Sequence, residues 1–378
     1  MESKIITGSS SAEVKSGIEA LLTSGFKPTL AIAFGSISCD IENFPKLFSQ
    51  LNIQLIGASS CGEFTGTEVS EKEIVVMLLD IAPEAFRIFD MTSDYATSEE
   101  TGKELGQFAK THFEDPSFIL LFSMNISGEC LIKGINDEVG GAPSLFGGMA
   151  GDDFQMNETF NFSNNHFRKT GITALVLDND KVEVKGKALC GWQPIGVEHQ
   201  ITNSKDNIIY TINDKPALDV MKEYFGNYHH NGSEVGNIAT GTAQYPLQLR
   251  REDNVNILRT TLNANESEGS LVMAGPVKQG DLFQFSVAPG FDIIDETLLG
   301  FEDFQKESGE ADAMLLFSCM ARKMALGPLV EEEVKGIHNI WKKPMIGFFT
   351  YGEIGQHGTG TTHFYNETCS LVLLKERK

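Results

Sequence analysis

The sequence predicts a mixed α/β protein of two domains, with mixed sheets flanked by helices. Three observations support this fold class. A unit of strands and a glycine turn recurs three times, and two regions alternate apolar and polar residues. With 378 residues, the chain is also longer than chains that usually fold around a single hydrophobic core. Repeated strand–helix–strand–turn units should give sheets with helices packed on them, and the alternating regions should add antiparallel strands.

Each copy of the repeated unit begins with a short apolar run, which is typical of a buried strand. A polar, small-residue turn and then a helix-like stretch follow each run. The three runs are Leu30–Phe34, Phe118–Phe122 and Ala313–Phe317.

A second strand in each copy ends in a glycine-rich turn that carries an acid. The three segments are residues 55–63, 145–153 and 345–353. When their first glycines are superposed, the acids Glu63, Asp153 and Glu353 fall at one equivalent position. A third apolar strand follows each copy, at residues 74–79, 172–177 and 370–374.

Two other regions have a different pattern. Residues 181–225 alternate apolar and polar side chains, and they end in a predicted helix from Pro216 to Phe225, where proline suits the first turn. Residues 254–287 repeat this pattern between glycine turns. Residues 226–241, rich in Gly, Asn and His, are the best candidate linker, so we predict domains at 1–225 and 226–378.

Charge and composition exclude several classes of function. The formal net charge of −22 argues against nucleic acid as a partner and against electrostatic binding to an anionic membrane. No apolar run approaches the about 20 residues of a spanning helix, and the N-terminus lacks a signal-peptide pattern. Six scattered cysteines without a CxxC pair indicate reduced thiols, so we predict a cytoplasmic protein.

The repeated acids are candidate ligand contacts. Ligands of open α/β sheets bind outside the carboxyl ends of strands, where these turns lie, and a carboxylate there could hold an ammonium group. Glu63 and Glu353, each after a glycine, are the better candidates, and Asp153 is the third. The alternative is that each acid only caps a helix or accepts backbone hydrogen bonds in its own turn.

Arg322 follows the third apolar run and could bind a ligand carboxylate or pair with Glu353. A structural salt bridge at the strand end is an equal alternative. If acid and arginine line one pocket, an amino acid satisfies both charges, and Asn366 could add an amide. Tyr351 could line the same pocket or belong to the core.

An enzymatic function is not favoured, and we predict no catalytic residue. Cys61 and Cys319 occupy turns near these groups, but a nucleophilic cysteine needs a base and an oxyanion donor, and no histidine is near in sequence. No nucleophile elbow, Walker loop or dinucleotide motif is present. A cysteine-dependent hydrolase or transferase is the alternative of another class. The eight histidines show no zinc spacing, so no metal is predicted, whereas a haem needs only one axial histidine and stays open.

Several motifs together resemble the FIST family, a sensory module of prokaryotic signal transduction. The resemblance spans roughly residues 27–374. The N-terminal half carries it in the turns at 57–63 and 145–153. The C-terminal half carries it at 317–322, at 347–355 and at 364–368, where Phe-Tyr-Asn-Glu-Thr is similar to the family pattern Phe-His-Asn-Gln-Thr.

The resemblance implies an N-type and a C-type FIST domain that bind small ligands such as amino acids. Because the chain leaves no room for an attached output, a separate histidine kinase or cyclase would be the partner. Some stand-alone members resemble haem proteins that sense nitric oxide and regulate a histidine kinase, so haem is possible and the cofactor is unknown. Tyr365 and Glu367 replace the usual His and Gln, and Ala321 replaces a common Gly.

We therefore predict a non-enzymatic, intracellular sensor that binds a small polar ligand, such as an amino acid, between sheet ends or between domains. The candidate ligand-binding residues are Cys61, Glu63, Asp153, Cys319, Arg322, Tyr351, Glu353 and Asn366.

Overall fold

The computed structural model describes residues 1–226, 244–251, 255–288, 290, 292–357 and 360–377. Apart from residue 226, the predicted linker at 226–241 lies outside these ranges, as do His229 and His230. The boundary between residues 225 and 226 stays a prediction.

Three six-stranded sheets share one order of strands. The first sheet runs β1 (Glu2–Gly8), β6 (Ile74–Asp80), β2 (Leu30–Gly35), β3 (Gln54–Ser59), β10 (Asn161–Ser163) and β11 (Phe167–Arg168). The second runs β7 (Phe86–Met91), β12 (Ile172–Asp178), β8 (Pro116–Phe122), β9 (Leu145–Met149), β24 (Glu353–His357) and β25 (Thr361–Tyr365). The third runs β13 (Val182–Leu189), β26 (Cys369–Glu376), β22 (Ala313–Cys319), β23 (Met345–Thr350), β4 (Glu63–Thr65) and β5 (Val69–Ser70).

The helices connect and cover these strands. In each sheet the two middle strands, β2/β3, β8/β9 and β22/β23, are parallel and joined through helix, and the other neighbours are antiparallel. The helices are α1 (Ser11–Thr23), α2 (Phe44–Gln50), α3 (Ser98–His112), α4 (Gly128–Val139), α5 (Ala217–Phe225), α6 (Asp292–Ser308), α7 (Met320–Leu326) and α8 (Val330–Trp341). The predicted mixed α/β fold is confirmed.

We name three units and one insert from this order. The first unit is residues 2–80, the second is 86–178, and the third is 182–189 with 292–376. The insert, residues 193–287, is an antiparallel sheet with α5. Its strands are β14 (Gln193–Lys205), β15 (Ile208–Ile212), β16 (Lys215–Pro216), β17 (Leu247–Arg250), β18 (Asn256–Arg259), β19 (Thr261–Asn265), β20 (Ser270–Met273) and β21 (Leu282–Val287).

The units exchange strands in a cycle. The hairpin β4–β5 of the first unit completes the third sheet, β24–β25 of the third unit completes the second sheet, and β10–β11 of the second unit completes the first sheet. Strands from both sides of residue 226 therefore share the second and third sheets. Strand β13 lies in residues 181–225, which the alternating sequence pattern assigned to a separate antiparallel region. In the structure it pairs with β26 of the third unit.

Each sheet is buried on both faces, which explains its continuous apolar runs. Leu30, Ile32 and Phe34 of β2 belong to a central cluster formed by all three units, whereas Ala31 and Ala33 face the helices of the first unit. This alternation follows the two-residue period of a strand. The second and third units pack their helices in the same way, and the insert has a core of its own.

Within the described ranges, no helix is both long and apolar enough to cross a membrane.

Candidate functional site: a central pocket beside the glycine turns

The three glycine turns contact one another through backbone hydrogen bonds. Each turn contacts both of the others, in the same cyclic sense as the strand exchange. The carboxyl ends of β3, β9 and β23 are thereby brought together, which is where open α/β sheets bind ligands. The bonds run from the Cys61 amide to the Phe349 carbonyl (2.9 Å), from the Tyr351 amide to the Met149 carbonyl (3.2 Å) and from the Gly151 amide to the Ser59 carbonyl (2.9 Å).

A pocket of about 200 Å³ lies beside these turns, and we call it the central pocket. The second unit, the third unit and the insert all contribute to its walls. Its polar groups are few and uncharged: Tyr95, Ser127, Asn207 and Tyr351. Its apolar wall includes four methionines, which adapt readily to differently shaped ligands: Met124, Met149, Met156 and Met273.

A smaller cavity of about 30 Å³ adjoins the central pocket, and we call it the side cavity. This volume exceeds the about 10–15 Å³ that a cavity needs to hold one water molecule. Its surface is almost wholly apolar, although the residues around it include Thr260 of the insert and Cys319, Thr350 and Asn366 of the third unit. The residues common to both cavities are Met156, Leu262, Ala274 and Tyr351.

Three of the eight predicted site residues line these cavities. Tyr351 lines both, and Cys319 and Asn366 line the side cavity. The others line neither cavity: Cys61, Glu63, Asp153, Arg322 and Glu353.

Glu63 and Glu353 are fully buried and hold their own turns. Glu63 accepts hydrogen bonds from the Ser60 hydroxyl and from the Glu73 amide at 3.1 Å. Glu353 accepts from the Thr350 hydroxyl and from the Thr368 hydroxyl at 2.8 Å. Burial raises the pKa of Glu63 to about 7 and that of Glu353 to about 8. The alternative of backbone hydrogen bonds within the acid's own turn describes neither residue fully, because each acid accepts from one hydroxyl of its own turn and from one group of a later segment.

The position predicted for Asp153 in the repeat is wrong. Strand pairing places Glu63 opposite Phe348, Glu353 opposite Gly148, and Asn161 opposite Ala58. Asn161 is therefore the counterpart of the two glutamates, because each of the three begins an exchanged strand.

The reason is a longer turn in the second unit. Asn161 comes fourteen residues after Gly147, whereas Glu63 comes six residues after Gly57. Asp153 lies within the extra turn with a φ of 54°, where it accepts hydrogen bonds from the hydroxyls of Ser36 (2.7 Å) and Ser38 (3.0 Å).

Arg322 forms a structural ion pair with Glu333 and not with Glu353. Its Nε lies 2.9 Å from Glu333 Oε2, and both side chains are almost fully buried. The remaining N–H groups donate to the Cys190 carbonyl, the Glu367 carbonyl and the Thr297 hydroxyl.

A second bond to Glu333, from Nη2 to Oε1, brings all five N–H donors of Arg322 into use. Burial opposes the charge, yet the Glu333 carboxylate raises the pKa of the guanidinium. Arg322 consequently has no donor left for a ligand carboxylate.

Cys61 and Cys319 are buried thiols with little nucleophilic character. Burial raises the pKa of Cys61 to about 12, and burial together with Glu353 raises that of Cys319 well above its ordinary value. A reactive cysteine needs the opposite shift.

Tyr351 contacts an acid that the sequence did not single out. Its hydroxyl donates to the Asp152 carboxylate, which also accepts from the backbone amides of Met156 (3.0 Å), Asn157 (2.6 Å) and Glu158 (2.9 Å). Asp152 thereby joins the long turn of the second unit to the turn after β23.

Other features of the site also could not be found by motif. Thr260 and the methionines come from segments without a polar signature, and only the third dimension brings them to the pocket. The sequence contained only a weak indication of Asp152, which directly precedes the predicted site residue Asp153.

The described part of the chain holds no group of three or more His, Cys, Asp or Glu side chains suited to a metal ion. None of its histidines lines the central pocket or the side cavity.

Comparison with family models gives two adjoining matches. A FIST N domain matches residues 29–215, and a FIST C domain matches residues 217–356. No curated protein matched the chain. FIST domains are sensory domains of signal transduction. The resemblance seen in the turn motifs is confirmed, and the chain belongs to the FIST family.

Proposed function

We propose that the protein is a non-enzymatic sensor that binds a small organic ligand in the central pocket. The position of the pocket carries this proposal. Its walls come from two units and from the insert, beside the gathered carboxyl ends of the strands. A ligand there touches separate parts of the fold at once.

Polar contacts next to the pocket offer a route for the signal. Glu129, in the first turn of α4, accepts hydrogen bonds from Arg259 (2.5 Å) and Arg251 (3.0 Å) of the insert. The Thr260 hydroxyl donates to Glu367 of the third unit over 2.7 Å. A ligand that favours one arrangement of these contacts over another shifts the population of states, and the differential affinity sets the size of the shift.

The pocket supports a ligand with a substantial apolar part. A free amino acid, expected from the sequence, loses the carboxylate partner assigned to it, because the donors of Arg322 are already used. Amino acids with apolar side chains remain in the proposal as ligands to test, together with their uncharged and singly charged analogues.

Haem does not fit the central pocket or the side cavity. A volume of about 200 Å³ is below the roughly 300–1,000 Å³ of usual ligand sites, and neither cavity has a histidine in its lining. We derive no role for haem from these residues.

The cysteine-enzyme alternative is also disfavoured, since both candidate thiols have a raised pKa. We propose that the signal passes to a separate protein, such as a histidine kinase or cyclase, in the cytoplasm. The net charge of −22 supports neither nucleic acid nor an anionic membrane as that partner.

The test is a calorimetric screen of amino acids, amines, alcohols and carboxylic acids against the wild type and two variants. Ala274→Trp fills the wall shared by both cavities and should abolish binding of any hit. Ala12→Trp, on the exposed face of α1, is the matched control and should bind normally. A hit that binds Ala274→Trp as tightly as the wild type would refute the proposal.

A further inference from the structure

The walls of the central pocket and of the side cavity carry no charge. Among the described residues that line either of them, none is Asp, Glu, Lys, Arg or His. A charged group that leaves water for such a wall loses its hydration and finds no counter-charge. The part of a ligand that enters these cavities should therefore be uncharged.

Two methionines present accessible thioether groups to the central pocket. Met124 and Met156 line it and are partly exposed, whereas Met149 is only 7% exposed and Met273 is fully buried. The polarizable sulfur of methionine makes favourable contacts with the edge and face of an aromatic ring. A saturated ring of the same size does not offer these contacts, so the wall can distinguish the two kinds of ligand.

The backbone holds both methionines in place at the pocket. The Met124 amide donates to the Thr159 hydroxyl over 3.0 Å, and the Met156 amide donates to the Asp152 carboxylate over 3.0 Å. Asp152 also accepts from the Tyr351 hydroxyl, so one carboxylate positions both Met156 and the Tyr351 ring. The two side chains are thus anchored at their backbone, while their flexible ends can adapt to a ring.

Two tyrosine rings add to the accessible wall. Tyr95 is 43% exposed, and Tyr351 is partly exposed in the wall that both cavities share. Pairs of aromatic rings stabilise a complex beyond the apolar area that they bury. A saturated ring of equal carbon number buries a similar apolar area but gains neither the ring–ring nor the sulfur–ring contacts. Area alone therefore predicts no preference, and the chemistry of the wall predicts one.

We propose that the central pocket binds an uncharged aromatic compound, with its ring against Met124, Met156 and Tyr351. This inference rests on the proposed function. An apolar cavity of about 150 Å³ is large enough to bind benzene, so a pocket of about 200 Å³ accommodates one ring and a short substituent. A hydroxyl substituent suits the uncharged polar residues of the same pocket, among them Tyr95 and Asn207.

The experiment titrates four probes into protein with isotope-labelled methionine methyl groups and follows the methyl signals by NMR. The probes are benzyl alcohol, cyclohexylmethanol, benzoate and benzylamine. Benzyl alcohol should bind at least about tenfold more tightly than each of the other three, the ratio that about 1.4 kcal/mol gives. Its ring current should shift the methyl signals of Met124 and Met156, an effect that cyclohexylmethanol cannot produce.

Leucine substitutions separate the sulfur contacts from the shape of the wall. Met124→Leu and Met156→Leu nearly conserve side-chain volume, and each identifies one methyl signal by its loss. In the double variant the preference for benzyl alcohol over cyclohexylmethanol should fall by about threefold or more, with cyclohexylmethanol affinity unchanged within about twofold. Each single variant should show a smaller change in the same direction, which keeps the test valid if the double variant does not fold.

Met91→Leu is the matched control. Met91 is a partly exposed methionine of β7 in the second unit and lines neither cavity. Its replacement should leave the preference for benzyl alcohol as it is in the wild type.

The outcomes separate this inference from the proposed function. If cyclohexylmethanol binds as tightly as benzyl alcohol, or if the leucine variants keep the full preference, the aromatic inference is overturned and the pocket keeps its role. Equally tight binding of benzoate or benzylamine overturns the inference as well, as do shifts confined to methionines other than Met124 and Met156. If none of the four probes binds, the inference fails, and the wider screen with Ala274→Trp decides the proposed function.

Discussion

The Arg322 guanidinium and the Glu333 carboxylate form a buried ion pair between α7 and α8, with Nε 2.9 Å from Oε2. The same guanidinium donates to Thr297 of α6 and to the Glu367 carbonyl before β26. Its face also lies over the Trp192 ring, with 5.2 Å to the ring centroid. The Arg322 side chain thus links three helices of the third unit to the segment before β26, which contains Asn366 beside the side cavity.

Replacement of Arg322 by methionine should destabilise the protein strongly. Glu333 would remain buried without its partner, and such a loss costs about 3–5 kcal/mol of the free energy of unfolding. Urea denaturation of the wild type and Arg322→Met measures this change. The double variant Arg322→Met with Glu333→Leu should recover much of the loss, because no uncompensated charge stays buried.

The control is the exposed pair of Lys335 and Glu331 on α8, 3.3 Å apart. Lys335→Met should cost less than about 1 kcal/mol. If Arg322→Met unfolds at the same urea concentration as the wild type but no longer binds ligand, Arg322 is a ligand contact and our assignment is wrong.

Stability should fall as the pH rises from about 5 to 8. Burial raises the pKa of Glu353 and of Glu367 to about 8, above the ordinary 4.5. The folded state therefore binds more protons than the unfolded state in this range. The stabilisation is complete below pH 4.5 and is lost as the pH passes through 8.

The Glu353→Gln variant tests this pH dependence through thermal unfolding at a series of pH values. Its stability curve should be flatter than that of the wild type by at most about 1.4 kcal/mol per pH unit. Glu332→Gln, an exposed change on α8, should leave the wild-type slope unchanged. Parallel curves for Glu353→Gln and the wild type would show that Glu353 does not titrate as we describe.

The glycines before the turns should not tolerate alanine. A Cβ at Gly57 would lie 2.0 Å from the Phe162 ring of an exchanged strand and 2.5 Å from the Ala33 carbonyl. At Gly347 it would lie 2.1 Å from the Leu316 carbonyl. Since backbone cannot move aside cheaply, each alanine variant should lose more than about 3 kcal/mol of stability or fail to fold.

Gly336→Ala in α8 is the matched control for these changes. Its added Cβ meets only the flexible end of Leu298, and alanine favours a helix by up to about 1 kcal/mol over glycine. Denaturation midpoints of the three variants give the comparison. Wild-type stability for Gly57→Ala would contradict the close approach of the exchanged strand.

The buried cysteines should react slowly in the native protein. Burial raises the pKa of both Cys61 and Cys319, so little thiolate forms near neutral pH. With a disulfide reagent at pH 7.5, both should react more slowly than a free thiol, and denaturation should expose them. A fast phase in native protein that disappears in Cys61→Ser or Cys319→Ser would revive the cysteine-enzyme alternative.

Local pattern predicted the repeated strands because each is buried on both faces, which leaves continuous apolar runs such as Leu30–Phe34. The structure also confirms the predicted strands at 74–79 and 172–177 and the predicted helix that ends at Phe225. Short-range periodicity in the sequence was sufficient to predict them. The cyclic exchange could not be predicted. It depends on which sheet receives a short hairpin, and a three-residue strand such as β4 carries too little pattern to show this.

The site was only partly predictable. Cys319 ends β22, and Tyr351 and Asn366 directly follow β23 and β25, so all three lie at strand ends beside the cavities. Arg322 also follows a strand, but its partner Glu333 comes from a helix eleven residues later, and spacing alone does not distinguish this pair from a ligand contact. The equivalence of Asn161 to Glu63 and Glu353 could not be seen in the sequence, because the turn of the second unit is longer.

The most direct test of the account is the electron density of a crystal grown with the tightest-binding compound of the calorimetric screen. We expect density for the ligand in the central pocket against Ala274 and Tyr351. Ligand density at another place on the protein, with both cavities empty, would contradict the central claim.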